Sequence, residues 1–184
     1  MEHSSATPSL KWRQNEIFFN DNLIYKSNIE DVYKLTENVY EEMQCVYPKF
    51  FKMDILSRVA FLATELLNPD VTDLDKNKIA VVLSTKSGCL EVDKKFEESR
   101  QNIASPALFV YTLPNIMLGE VCIRRGFKGE QMCSFEEHFN AEWFDFYVSD
   151  LLENRETDAC LYGHVEAIEK EVSVDLFWRR KARN

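Results

Sequence analysis

The fold of this chain is decided by residues 105–129, SPALFVYTLPNIMLGEVCIRRGFKG. They begin with an apolar run, residues 107–113, which predicts an extended segment that ends at the breaker Pro114. An amphipathic helix is predicted after the proline, and the glycines at its end predict a turn into a new strand, Gln131–Phe135. An extended segment, a helix, a glycine turn and a buried strand are the parts of a layered α/β domain.

The predicted helix after Pro114 combines a regular apolar pattern with one glycine. Its apolar positions are Leu113, Ile116, Met117, Val121 and Ile123. Gly119 lies among them, and a glycine in a helix interior costs about 1 kcal/mol relative to alanine. We therefore expect Gly119 to mark a close approach of another element. Gly126 predicts the end of the helix, and Gly129 closes the turn.

Four other segments indicate what this helix packs against. Residues 54–67 are apolar over so wide an arc that they predict a buried helix. Residues 78–84 form a continuous apolar run, typical of a strand covered on both faces of a parallel sheet. Residues 158–167 predict a further strand, and residues 172–178 another. The predicted fold is α/β, a mixed, mostly parallel sheet with packed helices.

Both ends of the chain add simpler elements. Asparagine and aspartate at residues 20–22 predict a turn between extended residues 11–19 and 23–25. A final helix is predicted over residues 136–153. Its aromatic and apolar positions at helical spacing are Phe139, Trp143, Phe146, Tyr147 and Leu151.

Length and charge set the domain plan. The 184 residues suffice for one domain, and we predict a disordered leader at 1–10, the domain at 11–178 and a basic tail at 179–184. The formal charge is −9, from 31 acidic and 22 basic residues, which predicts repulsion from nucleic acid and anionic membrane. The tail is interpreted as a solvated end rather than a docking site.

The cysteines indicate the compartment. They are Cys45, Cys89, Cys122, Cys133 and Cys160. Their odd number and the absence of a CxxC pair predict free, mostly buried thiols in a reducing environment. The polar start predicts no signal peptide, and no apolar run approaches the roughly 18 residues of a membrane span. A cytoplasmic location is predicted.

Metal and cofactor sites have little support in the sequence. The histidines are His3, His138 and His164, and they show no ligand spacing. The glycines at 126 and 129 are too close together for a phosphate-binding loop and lack a following serine or threonine. We predict neither a metal nor a cofactor.

Several of these residues also resemble a known family, the β-ketoacyl-acyl-carrier-protein synthases of the thiolase-like superfamily. The matching residues are Pro106, Pro114, Asn115, Gly119, the Val-Cys-Ile-Arg run from Val121, and Gly126-Phe-Lys-Gly129. Residues 52–64 are similar to the family's long N-terminal helix, and Gly163-His-Val-Glu-Ala167 to its Gly-Gly-Thr-Glu-Ala strand end. The resemblance implies a thiolase-like half-fold, the N-terminal half only.

The resemblance also implies what is missing. The family pattern continues with a nucleophilic cysteine at the start of a buried helix, and the spacing from Gly129 to Glu166 places that position on His138. Two further histidines belong to the family's C-terminal half. The resemblance therefore implies a non-catalytic accessory subunit, like the chain length factors of polyketide systems, in fatty-acid or polyketide and aryl-polyene synthesis.

An enzymatic alternative remains open at this stage. Cys133 lies five residues before His138, and Glu136 or Glu137 could orient the imidazole in a loose Cys–His–acid set. Such a set would support residual 3-oxoacyl-ACP synthase activity, acyl transfer or hydrolysis.

His164 and Glu166 point to one face of their strand by alternation. We interpret them as structural polar residues at a sheet end.

The partner prediction concerns the strand before the nucleophile position. In the family this strand pairs antiparallel with its two-fold mate, which implies a dimer strand here. Its residues are Gln131, Met132, Cys133, Ser134 and Phe135. The implied partner is a second copy or a ketosynthase, and proline at Met132 or Ser134 is predicted to break the pairing. An acyl carrier protein is a further implied partner, although the acidic body would not attract its acidic surface.

Overall fold

The computed structural model describes residues 7–101 and 105–182, which form a seven-stranded sheet with helices on both faces. The strands are β1 (Ser9–Arg13), β2 (Glu16–Phe19), β3 (Asn22–Lys26), β4 (Ile79–Thr85), β5 (Gln131–Phe135), β6 (Ala159–Ile168) and β7 (Glu171–Arg180). The helices are α1 (Val32–Glu42), α2 (Ile55–Leu67), α3 (Leu90–Arg100), α4 (Pro106–Val110), α5 (Ile116–Arg125) and α6 (Ala141–Asn154). Short 3₁₀ helices occupy Pro48–Lys52 and Lys76–Lys78.

The sheet is mixed, with the strand order β3-β2-β1-β7-β6-β4-β5. Only the pairings of β4 with β5 and with β6 are parallel. The other four pairings are antiparallel. Short turns join β1 to β2, β2 to β3 and β6 to β7, and β1 pairs with β7 as the fourth antiparallel neighbour. The prediction of a mixed sheet with packed helices is confirmed, but the prediction that it is mostly parallel is wrong.

Two apolar cores hold the layers together. The larger core joins α1, α2 and α5 to one face of the sheet, and the smaller core joins α6 to the opposite face of β4 and β6. Every residue of β4 is buried, as the continuous apolar run predicts.

Helix α2 contributes many residues to the larger core, and the prediction that it is buried is confirmed. Asp54 caps its first turn by accepting from the Ser57 and Leu56 N–H groups, both at 3.2 Å. Asn68 ends it in the left-handed conformation, with φ of 41°. Phe61 and Leu62 are fully buried between these ends.

The region 105–129 is helical where an extended segment was predicted. Ser105 caps α4 through the Leu108 N–H at 3.3 Å, and Pro106 occupies its first turn, where proline is well tolerated. Residues 107–113 are therefore a short helix and a turn, and the extended prediction is wrong. Helix α5 ends at Gly126, with φ of 75°, as predicted.

Gly119 of α5 does not have the intrachain role that the sequence predicted. A Cβ atom built on Gly119 would meet nothing within 4 Å. The close approach lies instead at Gly129, where a Cβ would meet the Ile79 carbonyl oxygen at 2.5 Å.

The N-terminal boundary differs from the predicted one. Strand β1 begins at Ser9, and Leu10 and Trp12 are buried, so residues 9 and 10 belong to the domain rather than to a leader. The predicted turn at residues 20–22 is confirmed, with positive φ at Asn20 and Asp21. A second turn at Gln14, φ 50°, divides residues 11–19 into two strands.

The C-terminal boundary also moves. Strand β7 continues to Arg180, through the predicted start of the tail. Arg179 pairs with Asp145 at 2.8 Å, and Arg180 pairs with Asp73 at 2.7 Å. These two arginines are therefore part of the sheet.

Helix α6 begins five residues later than predicted. Asn140 caps it by accepting from the Trp143 N–H at 3.2 Å. Phe144 is fully buried against the sheet, whereas Phe146 is 72% exposed. Phe146 therefore faces outwards, although the predicted apolar face of the helix included it. The buried face includes Phe144 instead.

Candidate functional site

The candidate site is the end of the sheet formed by β5, the loop that follows it, and the adjoining ends of β4 and β6. The side chains that the sequence singled out, His138, Cys133, His164 and Glu166, belong to these elements. The predicted dimer strand is β5 itself.

Strand β5 is the last strand of the sheet and pairs with β4 alone among the described residues. The Glu130 carbonyl accepts from the Val81 N–H at 2.9 Å, and the Glu136 N–H donates to the Thr85 carbonyl at 3.1 Å. Backbone groups of successive residues point to opposite sides of a strand. Met132 and Ser134 therefore also face β4.

The same alternation directs the N–H and C=O groups of Gln131, Cys133 and Phe135 to the open edge. Proline at Met132 or Ser134 would consequently remove a donor to β4 rather than an edge donor, so that part of the prediction is wrong. The edge positions are the odd-numbered ones.

Cys133 has the properties of a core thiol. Its side chain is partly buried and packs on the larger core. Burial raises the pKa of the Cys133 thiol to about 11. A catalytic cysteine needs the opposite shift, because the thiolate is the nucleophile.

His138 lies exposed in the loop between β5 and α6. The cap of α6 is Asn140, so His138 does not stand at the entry of the helix as predicted. Its neighbour Glu137 pairs with Lys86 at 2.7 Å, and this hydrogen bond and charge lower the pKa of Glu137. Among the described residues no hydrogen bond joins His138 to Cys133.

The sequence placed His164 and Glu166 on one face of their strand, and both are buried there. Ser84 Oγ lies 2.9 Å from His164 Nδ1. Burial lowers the pKa of His164, and the nearby carboxylates of Glu166 and Asp175 oppose that shift. The imidazole is thus a buried hydrogen-bond partner of the serine hydroxyl.

Glu166 holds the turn that follows β4. Its Oε2 accepts from Thr85 Oγ1 at 3.0 Å, from the Lys86 N–H at 2.8 Å and from the Ser87 N–H at 3.1 Å. The predicted structural role agrees with these contacts. The sequence did not identify Ser84 and Thr85, because they lie about 80 residues away and no local pattern marks them.

The Ser84–His164 pair does not form an open catalytic site. Ser84 is fully buried, and His164 is 4% exposed. A cavity of about 760 Å³ lies elsewhere, between the start of α1 and the β6–β7 turn. Half of its lining residues are acidic, namely Glu30, Asp31, Glu169 and Glu171.

In residues 7–101 and 105–182, no three histidine, cysteine or acidic side chains gather closely enough to hold a metal ion. None of the helices in that part of the chain has both the length and the hydropathy to span a bilayer.

Sequence comparisons found no relative. No protein-family model matches the chain, and no curated protein is similar to it in sequence.

Solved structures do match. The ishigamide ketosynthase/chain length factor aligns with 96% of this chain at 15% identity and a TM-score of 0.71. A type II polyketide synthase acyl-carrier protein in complex with its ketosynthase bound to the hexaketide aligns with 95% at 13% identity and a TM-score of 0.61. A ketosynthase in complex with its chain length factor from Xenorhabdus doucetiae aligns with 76% at 16% identity and a TM-score of 0.58.

These similarities show the fold, and they confirm the predicted thiolase-like fold class. The matched region covers 61%, 61% and 63% of the three structures' chains respectively, so this chain spans about three fifths of their length.

Proposed function

We propose that this chain is a non-catalytic, chain-length-factor-like subunit that acts by pairing with a ketosynthase. The pathway would be polyketide or aryl-polyene synthesis, or fatty-acid synthesis, in the cytoplasm. Under this proposal the chain represents the N-terminal half of a ketosynthase, with His138 at the position of the nucleophile.

The observation that carries the proposal is the chemistry at the end of β5. The thiol nearest the nucleophile position, Cys133, has its pKa raised to about 11 and packs into the core. His138 is exposed in a loop and is not hydrogen-bonded to that thiol in the described residues. A thioester-forming enzyme would need a thiolate at this place.

The same strand supports a binding role. Gln131, Cys133 and Phe135 offer three N–H and three C=O groups at an open edge, and an unpaired edge is a template for another strand. Phe135 is exposed beside it. Two of the matched structures are of a ketosynthase together with a chain length factor, which supports a ketosynthase as the partner.

An acyl carrier protein is proposed as a further partner of the assembled pair. One of the matched structures is a complex of an acyl-carrier protein with its ketosynthase. The net charge of −9 on this chain favours docking of an acidic carrier on the ketosynthase partner rather than on this subunit.

Incubation with an acyl-thioester donor tests the non-catalytic assignment. Intact-mass spectrometry should detect an acyl adduct on a ketosynthase used as the positive control and none on this chain, because burial raises the pKa of Cys133 and so disfavours its thiolate. Folding should be checked by the thermal unfolding transition.

A stoichiometric adduct on this chain would contradict the assignment if it disappeared in Cys133→Ala or His138→Ala. Loss in Cys133→Ala alone would identify the thiol as the acceptor. Loss in both variants would support the acyl-transfer alternative.

A further inference from the structure

Glu120 of α5 is a buried carboxylate that the proposed function does not use. It is only 3% exposed, and Met117 and Val121 of the same helix belong to the larger core. Burying a charged group is costly unless that group is paired and hydrogen-bonded. The partners of this carboxylate therefore show which parts of the chain it holds.

Two surface segments supply the partners of Glu120. Tyr111 Oη donates to Glu120 Oε1 at 3.0 Å. Lys49 Nζ, from the 3₁₀ helix Pro48–Lys52, lies 2.9 Å from Glu120 Oε2 as an ion pair, without the alignment of a hydrogen bond. In residues 7–101 and 105–182, Tyr111 is thus the one hydrogen-bond donor to this carboxylate. Burial and the hydrogen bond to Glu120 both raise the pKa of Tyr111, so the hydroxyl keeps its proton and remains a donor.

Tyr111 belongs to a segment that is weakly attached to the rest of the domain. Residues 105–113, which comprise α4 and the turn after it, are called the strap. None of the residues of α4 is buried. In the described ranges, the strap's hydrogen bonds to other backbone groups stay within residues 105–116. No backbone ladder therefore ties the strap to the sheet or to another helix.

Side chains make the attachments that the strap does have. The Ser105 N–H donates to Ser99 Oγ at 3.2 Å, and the rings of Phe109 and Phe96 lie 5.5 Å apart. Leu108 and Tyr111 pack on the larger core from outside. A segment with few buried apolar contacts opens locally at a lower free energy than the core does. The hydrogen bond from Tyr111 to a buried charge is the strongest single contact of this set.

We infer that the strap opens as a unit while the sheet and α2 stay folded, and that the Glu120 carboxylate is the clamp that holds it closed through Tyr111. Opening admits water to Glu120, which then replaces the tyrosine hydroxyl as the donor. Lys49 is half-exposed and keeps its ion pair with Glu120 in both states.

The strap ends beside the candidate site. Pro114 follows it directly, and a Cβ built on Gly88 would lie 3.2 Å from Pro114 Cγ and 2.9 Å from Phe135 Cε1. Pro114 and Phe135 therefore meet at the turn after β4, so opening of the strap loosens the support of the end of β5. The strap is observable in the chain alone, which makes its test independent of the ketosynthase complex.

Native-state hydrogen exchange of the whole chain, measured by mass spectrometry, gives the first readout. In the wild type we expect the amides of residues 107–113 to exchange at least about tenfold faster than those of α2 and β4, because the strap opens without them. Equal protection of the strap, α2 and β4 would overturn the inference.

Tyr111→Phe tests the clamp, because it keeps the ring and removes the donor. The buried carboxylate then lacks a hydrogen bond in the closed state, so exchange at residues 107–113 should rise about tenfold or more. Tyr25→Phe is the matched control, since the Tyr25 hydroxyl donates to Asn38 Oδ1 at 2.6 Å far from the strap. It should leave exchange at residues 107–113 as in the wild type.

Phe144→Ala tests whether the strap opens independently. Phe144 lies in the smaller core on the opposite face of the sheet, so its loss should speed exchange in β4 through global unfolding and leave residues 107–113 unchanged. The inference fails if Tyr111→Phe leaves exchange in the strap unchanged. It also fails if Tyr25→Phe or Phe144→Ala raises that exchange as much as Tyr111→Phe does.

Discussion

At Gly163, strands β6 and β7 approach each other too closely for a side chain to fit. A Cβ there would lie 2.0 Å from the Asp175 carbonyl oxygen, and its φ is 157°. We expect Gly163→Ala to lower the free energy of unfolding by about 3 kcal/mol, because backbone must move. Gly126→Ala should cost only about 1 kcal/mol, since its neighbour is a flexible lysine side chain and only the φ is strained. Urea unfolding measures both, and equal losses would contradict the packing at Gly163.

We expect the free energy of unfolding to depend on pH through the titration of His164. Burial lowers its pKa in the folded protein below the ordinary value near 6.5 that it has when unfolded. Below that value the unfolded state binds the proton more readily, so stability is present above about pH 6.5 and is lost as pH falls through the folded pKa. Each unit of pKa difference corresponds to about 1.4 kcal/mol.

His164→Gln provides the control for this dependence, because it keeps a polar partner for Ser84 and removes the titration. Urea unfolding of both proteins at about pH 7.5 and about pH 5 is the measurement. The wild type should lose more free energy of unfolding than His164→Gln over that range. An equal loss would mean that the imidazole does not control the dependence.

Residue-scale predictions from the sequence succeeded where they needed only local periodicity. Alternation placed His164 and Glu166 on one face, and both are buried there. Their partners Ser84 and Thr85 depend on the parallel pairing of β4 with β6, which joins segments 80 residues apart. No local pattern in a single sequence encodes that register.

At the scale of elements, α6 offers the sharpest test. Phe144 is fully buried in the smaller core, whereas Phe146, two residues later, faces outwards. We expect Phe144→Ala to cost about 3–5 kcal/mol of stability and Phe146→Ala less than about 0.5 kcal/mol. Thermal or urea unfolding of the two variants distinguishes them. Similar losses would mean that the outward face of α6 is covered in solution.

The errors at the element scale have physical causes. Residues 107–113 are as apolar as a strand, but Ser105 and Pro106 form a helix start whose cap outweighs the apolar run. The turn at Gln14 has no glycine or asparagine at its positive φ, so residues 11–19 gave no signal of two strands. By contrast, α2 and β4 were predicted because their apolar patterns are long and continuous.

At the scale of the whole molecule, the layered α/β fold was predictable, but the relative directions of the paired strands were not. The buried strand β4 is typical of a parallel sheet, and it does pair in parallel on both sides. The antiparallel majority comes from tight turns such as the one at Glu169, φ 53°, between β6 and β7. The edge position of β5, which the resemblance implied, follows in the structure from the full strand order.

We propose that this chain serves a ketosynthase as a partner rather than as a catalyst. The most direct test is light scattering of the chain mixed with ketosynthases encoded in its gene neighbourhood, using wild type, Phe135→Ala and Phe135→Pro. We predict a stable mixed complex for wild type and Phe135→Ala, and a weakened one for Phe135→Pro, because proline removes an edge donor of β5. No mixed complex with any of these ketosynthases, or an equally stable one with Phe135→Pro, would contradict the account.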